Sequence, residues 1–187
     1  MTAPTDAIAI VGAGSSTLVG ELVAAGYSSI IAIDIAQAAL DQLRTNLGDG
    51  AAVVQLLRAD ARHVQLPHPV KLWHDRATFH FLTDPADQKA YAATAARAVG
   101  PGGYLVMAEF APDGPSSCSG LTVARHSVAS LKSLFADEFE LAESFEQDHT
   151  TPSGAVQRFV HVVMIRLKPK LSRNESTLTP QRLSLGG

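Results

Sequence analysis

One cysteine in 187 residues, Cys118, excludes an internal disulfide and any cysteine-based zinc cluster. No apolar stretch approaches the roughly 20 residues that span a bilayer. The opening MTAPTDAIAIVGAG lacks a basic segment followed by a signal-type apolar run, and it passes almost at once into a strand pattern. Charge is scarce as well: 18% of residues are charged and the formal net charge is −3, which gives no electrostatic case for nucleic acid or a membrane surface. What charge there is sits unevenly, net −6 over residues 1–167 and net +3 over 168–187. With 46% hydrophobic residues the chain can build a core. These features lead us to expect a reduced, cytoplasmic, globular protein.

Short strand and helix signals alternate along the chain, the signature of an α/β fold. Apolar runs predict strands at Ala7–Val11, Ile30–Asp34, Val53–Leu57, Val70–Trp73 and Tyr104–Phe110. Between them, helices are expected over Ser16–Ala25, with Ser15 or Ser16 as cap, and over Ala36–Leu47. Thr83-Asp84-Pro85 opens a third helix, running to about Val99, because a capping side chain precedes proline at the first helical position. Gly100-Pro101-Gly102-Gly103 closes it. Residues 111–122 read as loop, Ser127–Phe135 as a short helix, and Phe139–Phe145 with Val156–Arg166 as a final antiparallel pair around a Thr-Pro-Ser-Gly turn. The acids from Asp137 to Asp148 alternate with Phe139, Leu141 and Phe145, as in a strand with one wet face. One domain is expected over 1–167, with 168–187 a disordered tail.

The turn Val11-Gly12-Ala13-Gly14-Ser15-Ser16 joins the first strand to its helix. Glycine there lets backbone pass close beneath a ligand, and strand-end turns of open α/β sheets are where ligands dock. Asp34 ends the second strand, 20 residues after Gly14, where a carboxylate can accept bonds from both hydroxyls of a ribose. Asp60 follows the third strand, within reach of an adenine amino group. No lysine follows the glycine turn, which excludes a P-loop, and Thr17 fits poorly where a nicotinamide dinucleotide prefers a third small residue.

The order of these features, with the Pro-Gly-Gly turn and the terminal hairpin, resembles the class I S-adenosylmethionine-dependent methyltransferases over residues 7–166. Ile10–Ser16, Gly26-Tyr27 and Ile33-Asp34-Ile35 resemble the branch of methyltransferase-like lysine methyltransferases. Asp75-Arg76-Ala77-Thr78-Phe79, followed by Phe81-Leu82, is similar to a stretch of lysine and thiopurine methyltransferase-like enzymes. The resemblance implies a Rossmann-like fold: a seven-stranded, mostly parallel sheet of order 3-2-1-4-5-7-6, with helices on both faces and a terminal antiparallel hairpin. It implies S-adenosyl-L-methionine as cofactor, its methionine end over Gly12–Gly14, its ribose at Asp34 and its adenine beside Asp60 and Ala61. The full cofactor set expected is Gly12, Ala13, Gly14, Ser15, Ser16, Asp34, Ile35, Asp60, Ala61 and His74.

Methyl transfer from a sulfonium is an in-line displacement, so positioning in a water-poor pocket is most of what a protein contributes. A carboxylate or imidazole can orient or take up the acceptor's proton. Asp75 and His80 are the candidates for that role. Arg76 is expected to pair with Asp75 or with an acidic substrate group. The same residues also read as a structural ion pair and a packing histidine. His63, His68, His74 and His80 do not have metal-ligand spacing, so no metal is expected. His149, at the hinge of the last two strands, can close over the pocket or stand as a surface residue.

Without an appended substrate domain, the expected acceptor is a small molecule with an N, S or O nucleophile, or one protein side chain, on a monomer or weak dimer. Lysine of a protein is the branch alternative, favoured if acids surround the pocket. An NAD(P)-dependent oxidoreductase and a non-catalytic cofactor-binding module are the further alternatives.

Overall fold

A computed structural model describes residues 2–14, 16–151 and 154–168. The expectations for Ser15, for Pro152 and Ser153 of the Thr-Pro-Ser-Gly turn and for the tail beyond Lys168 lie outside the described residues. The first half alternates β1 (Ile8–Val11), α1 (Thr17–Ala24), β2 (Ile30–Asp34), α2 (Gln37–Leu47) and β3 (Val54–Arg58). Then come β4 (Val70–Arg76), α3 (Pro85–Ala98), β5 (Val99–Phe110), the two-residue strands β6 (Ser117–Cys118) and β7 (Leu121–Thr122), α4 (Val128–Phe135), β8 (Phe139–Thr150) and β9 (Val156–Arg166).

Seven strands form one sheet in the order β3-β2-β1-β4-β5-β9-β8. β1 to β5 run parallel, and β9 is antiparallel to both β5 and β8. The fold class is the expected one. It differs in detail by β6 and β7, a separate ribbon inside the segment expected to be loop.

β1 and most of β2 are buried on both faces, which is why they read as unbroken apolar runs rather than alternating ones. Ile8, Ile10, Ile30 and Ala32 face α1 and α2, packing on Val19 and Leu43. Ala9, Val11, Trp73, Leu105, Met107 and Val160 face α3 and α4, packing on Tyr91, Ala95, Leu131 and Phe135. Burying such side chains stabilises the fold by roughly 1.5–3 kcal/mol each, and the burial fixes the layers. Ser16 caps α1 by accepting from Leu18 N, and Asp84 caps α3 by accepting from Ala86 N at 2.8 Å, with Pro85 at the first helical position.

Three boundaries correct the sequence reading. β4 does not stop at Trp73 but continues through Arg76, because Val11 of β1 and Ala108 of β5 keep its last residues paired on both sides. β5 begins at Val99, its early residues crossing the glycine turn with a register shift between Val70 and Leu72. β8 runs on to Thr150, and beyond Leu141 it is exposed on both faces. The reading of one wet face therefore fails for its outer half. Phe145 is 48% exposed and stacks on His161, while Glu146 and Asp148 pair with Arg158 instead of facing solvent alone.

Candidate active site

At the carboxyl end of β1 the chain turns through Gly12 (φ +60°) and Gly14 (φ +42°), backbone that side-chain-bearing residues resist. A methyl group added at Gly12 would come within 1.9 Å of Thr78 Oγ1, so the turn and the segment after β4 fit only with bare backbone there. Ala13 is fully buried beneath the turn and hydrogen-bonds Ile33 O through its N–H. Asp34 holds the turn from the neighbouring strand: Oδ2 accepts Gly14 N at 2.9 Å and Oδ1 accepts Ala36 N at 2.8 Å. Each oxygen keeps a lone pair for a ligand, because an ionised carboxylate has about four acceptor positions.

Gly12 and Asp34 line a cavity of about 720 Å³ that also takes in Val11, Ile35, Asp60, Ala61, Arg62, Thr78 and Tyr91, whereas Ala13 and Gly14 stand outside its walls. Ile35 stands 68% exposed at its rim. Asp60 is not free. Arg62 grips it through Nε at 3.0 Å and Nη2 at 2.5 Å, and reaches Asp87 of α3 through Nη1 at 2.7 Å. That hydrogen bonding holds the Asp60 carboxyl below its ordinary range. Any adenine contact at Asp60 must share the carboxylate with this arginine.

A second cavity, of about 610 Å³, meets the first along Val11, Gly12, Arg76 and Ala77. Its other walls include Ser16, Glu21, His74, Phe110, Cys118, His149 and Phe159. His74 therefore lies on the α1 side of the sheet, away from the cavity holding Asp34. Burial, with Arg76 and His161 nearby, pushes its imidazolium down to about 4, so it is neutral at physiological pH.

Asp75 and His80 line neither cavity. Successive strand residues point to opposite faces, so Asp75 enters the α3 side and Arg76 stays on the α1 side; no ion pair joins them among the described residues. Asp75 is fully buried. Its Oδ2 accepts from Tyr91 Oη at 2.5 Å, and its Oδ1 from Thr78 N at 3.0 Å and Phe79 N at 3.3 Å. Tyr91 Oη accepts in turn from Trp73 Nε1 at 2.8 Å. These bonds hold Ala77 in a left-handed conformation (φ +61°), which costs a non-glycine residue roughly 1–2 kcal/mol. They also set Thr78 against Gly12.

Glu109 sits against Asp75, and burial raises both carboxyls, Glu109 well above its ordinary range with the Asp75 charge adding to the effect. One proton shared between them relieves two buried negative charges. His80 packs between Phe81 and Phe110, and its backbone N–H donates to Glu109 Oε2 at 3.0 Å. Burial drives its imidazole down to about 4.

Sequence reasoning gave no role to Thr78, Arg62, Tyr91 or Glu109, and none to Gln157 and Phe159 on the second cavity. A glutamate inside the apolar run Leu105–Phe110 was a usable signal; nothing local marks β9 as a cavity wall.

The model of the methyltransferase domain family matches residues 8–103. No curated protein matches the chain significantly. Among solved structures, a SAM-dependent methyltransferase from Methanosarcina mazei superposes with a TM-score of 0.75 at 19% identity, over 89% of this chain and 94% of that one. The N-methyltransferase NodS from Bradyrhizobium japonicum, in complex with S-adenosyl-L-homocysteine, gives 0.70 at 11% identity, over 88% and 80%. The 1,6-didemethyltoxoflavin-N1-methyltransferase of Burkholderia thailandensis gives 0.69 at 16%, over 88% and 72%. At these identities the likeness is one of fold. Matched over half its length by the family model and sharing this sheet order, the chain belongs to the methyltransferase domain family and has the class I SAM-dependent methyltransferase fold.

Proposed function

We propose that this chain transfers a methyl group from S-adenosylmethionine to a nitrogen, sulfur or oxygen of a small molecule. The observation that carries this reading is the pairing of Asp34 with the glycine turn: one carboxylate fixes Gly14 N at 2.9 Å while lining a cavity of about 720 Å³ at the carboxyl edge of the sheet. Cavities of this size suit a small-molecule ligand, and this edge is where open α/β sheets bind them. The donor set fits the cofactor: bare backbone at Gly12, lone pairs at Asp34 for a ribose, and an apolar rim at Ile35 and Ala61 for a flat base.

When bound, the cofactor supplies an electrophilic methyl group on its sulfonium. The chain's own residues bind and orient. Gly12 lets backbone approach closely, Asp34 anchors the sugar, and Thr78 forms the floor against the turn. Asp75 acts as a positioning residue, since it holds Thr78 and Phe79 from beneath without reaching either cavity. His74 is neutral and faces the second cavity, where it can accept a hydrogen bond from the acceptor.

A small acceptor is favoured over a protein lysine by charge. The acids Asp60 and Asp87 of the first cavity are both held by Arg62, and in the second cavity Arg76 balances the one carboxylate, Glu21. An ammonium group finds no surplus of carboxylates in that second cavity. The test is incubation of cell extract with radiolabelled S-adenosylmethionine and this protein, followed by size separation. Label in the small-molecule fraction is expected; label confined to protein would overturn the choice of acceptor.

A further inference from the structure

Arg76 ends β4 at the junction of the two cavities. Other arginines of the chain are engaged: Arg62 by Asp60 and Asp87, Arg158 by Asp113, Glu146 and Asp148, Arg166 by Glu138. Arg76 has no ion pair or hydrogen bond among the described residues. Its guanidinium stands 5.8 Å from the centre of the Phe159 ring. An aromatic face attracts the cation without using its N–H donors, so the planar fork stays available.

The surroundings suit a flat organic anion. Phe110 and Phe159 give the second cavity apolar walls, and their rings lie 4.9 Å apart. Glu21 is the one carboxylate of the lining and makes no ion pair with Arg76. His74 also lines this cavity. With His74 neutral at physiological pH, the fixed positive charge of this wall is that of Arg76.

Building on the methyltransferase reading, we propose that the second cavity is the acceptor site and that Arg76 binds a carboxylate on the acceptor, which is therefore a small organic acid. The guanidinium fork matches a carboxylate in two parallel hydrogen bonds.

Benzoate, benzamide and benzylamine share one ring and differ in charge, so they serve as probes. Each is titrated calorimetrically into protein saturated with S-adenosylhomocysteine. A charge-assisted contact predicts benzoate binding about tenfold tighter than benzamide, with benzylamine weakest. Arg76→Gln removes the preference, and Arg76→Lys restores part of it. Because Arg76 is exposed, both variants are expected to fold, and their thermal shift with S-adenosylhomocysteine verifies this. Equal binding of the three probes, or a benzoate preference that survives Arg76→Gln, would overturn the proposal. So would an Arg76→Gln variant that loses S-adenosylhomocysteine while the wild type ignores benzoate, since the arginine then serves the cofactor. Failure of wild-type protein to bind S-adenosylhomocysteine at all would strike the methyltransferase reading itself, and this proposal with it.

Discussion

Tyr91→Phe removes one oxygen from a fully buried polar chain. The hydroxyl donates to Asp75 Oδ2 at 2.5 Å and accepts from Trp73 Nε1 at 2.8 Å, and all three residues are fully buried. Water cannot replace either bond. Loss of a bond to a buried carboxyl costs about 2 kcal/mol, and the stranded indole N–H about 1 more, so a destabilisation of about 3 kcal/mol is expected. For a chain of this size that lowers Tm by roughly 6–12 °C. Trp73 is the only tryptophan, so urea denaturation followed by its fluorescence reports from inside the network. Thr78 and Phe79 hang from the same carboxylate, so affinity for S-adenosylhomocysteine should fall alongside stability. A loss below about 1 kcal/mol would refute the reasoning, because the hydroxyl would then not bridge two otherwise unsatisfied groups.

Further expectations concern the carboxyl pair and the glycine turn. Glu109 is raised well above its ordinary 4.5, so its folded form holds a proton, and stability is lost as pH rises from there toward the folded value. Glu109→Gln keeps the shape without needing the proton, so its Tm advantage over wild type should widen from pH 5 to pH 9 in calorimetric scans; parallel profiles would contradict the shared proton. The acid limb should be common to both proteins, since His74 and His80, lowered from 6.5 to about 4, cost stability as pH falls through that interval. Gly12→Ala forces a methyl group into Thr78 at a φ of +60° and should abolish the rise in Tm that S-adenosylhomocysteine gives the wild type. An intact shift would mean that the bare backbone is not required.

Much of this was legible in the residues, for physical reasons that also mark the limits. β1 and β2 are buried and end in Gly12 and Asp34, so an apolar run followed by glycine or a carboxylate located two strand ends, the edge at which we propose the cofactor binds. The end of β4 was not legible. His74-Asp75-Arg76 is polar, and reading by hydropathy stops the strand at Trp73; only pairing with β1 and β5 shows that Asp75 is inside. Its catalytic candidacy came from that misplacement, since an acid taken to lie beyond a strand is expected to face the cleft. His80 followed the same logic, and it lies buried between two aromatic rings, outside both cavities. The second cavity draws on α1, β4, the ribbon and the far hairpin, elements up to about 140 residues apart in sequence, so no local pattern announces it.

Calorimetric titration with S-adenosylhomocysteine and NAD, on the wild type and on Asp34→Ala, tests the cofactor edge most directly. Wild-type protein is expected to bind S-adenosylhomocysteine at one site and to give no heat with NAD, and Asp34→Ala to weaken binding by about tenfold or more. Binding of NAD in place of S-adenosylhomocysteine, or an Asp34→Ala variant with undiminished affinity, would contradict that expectation.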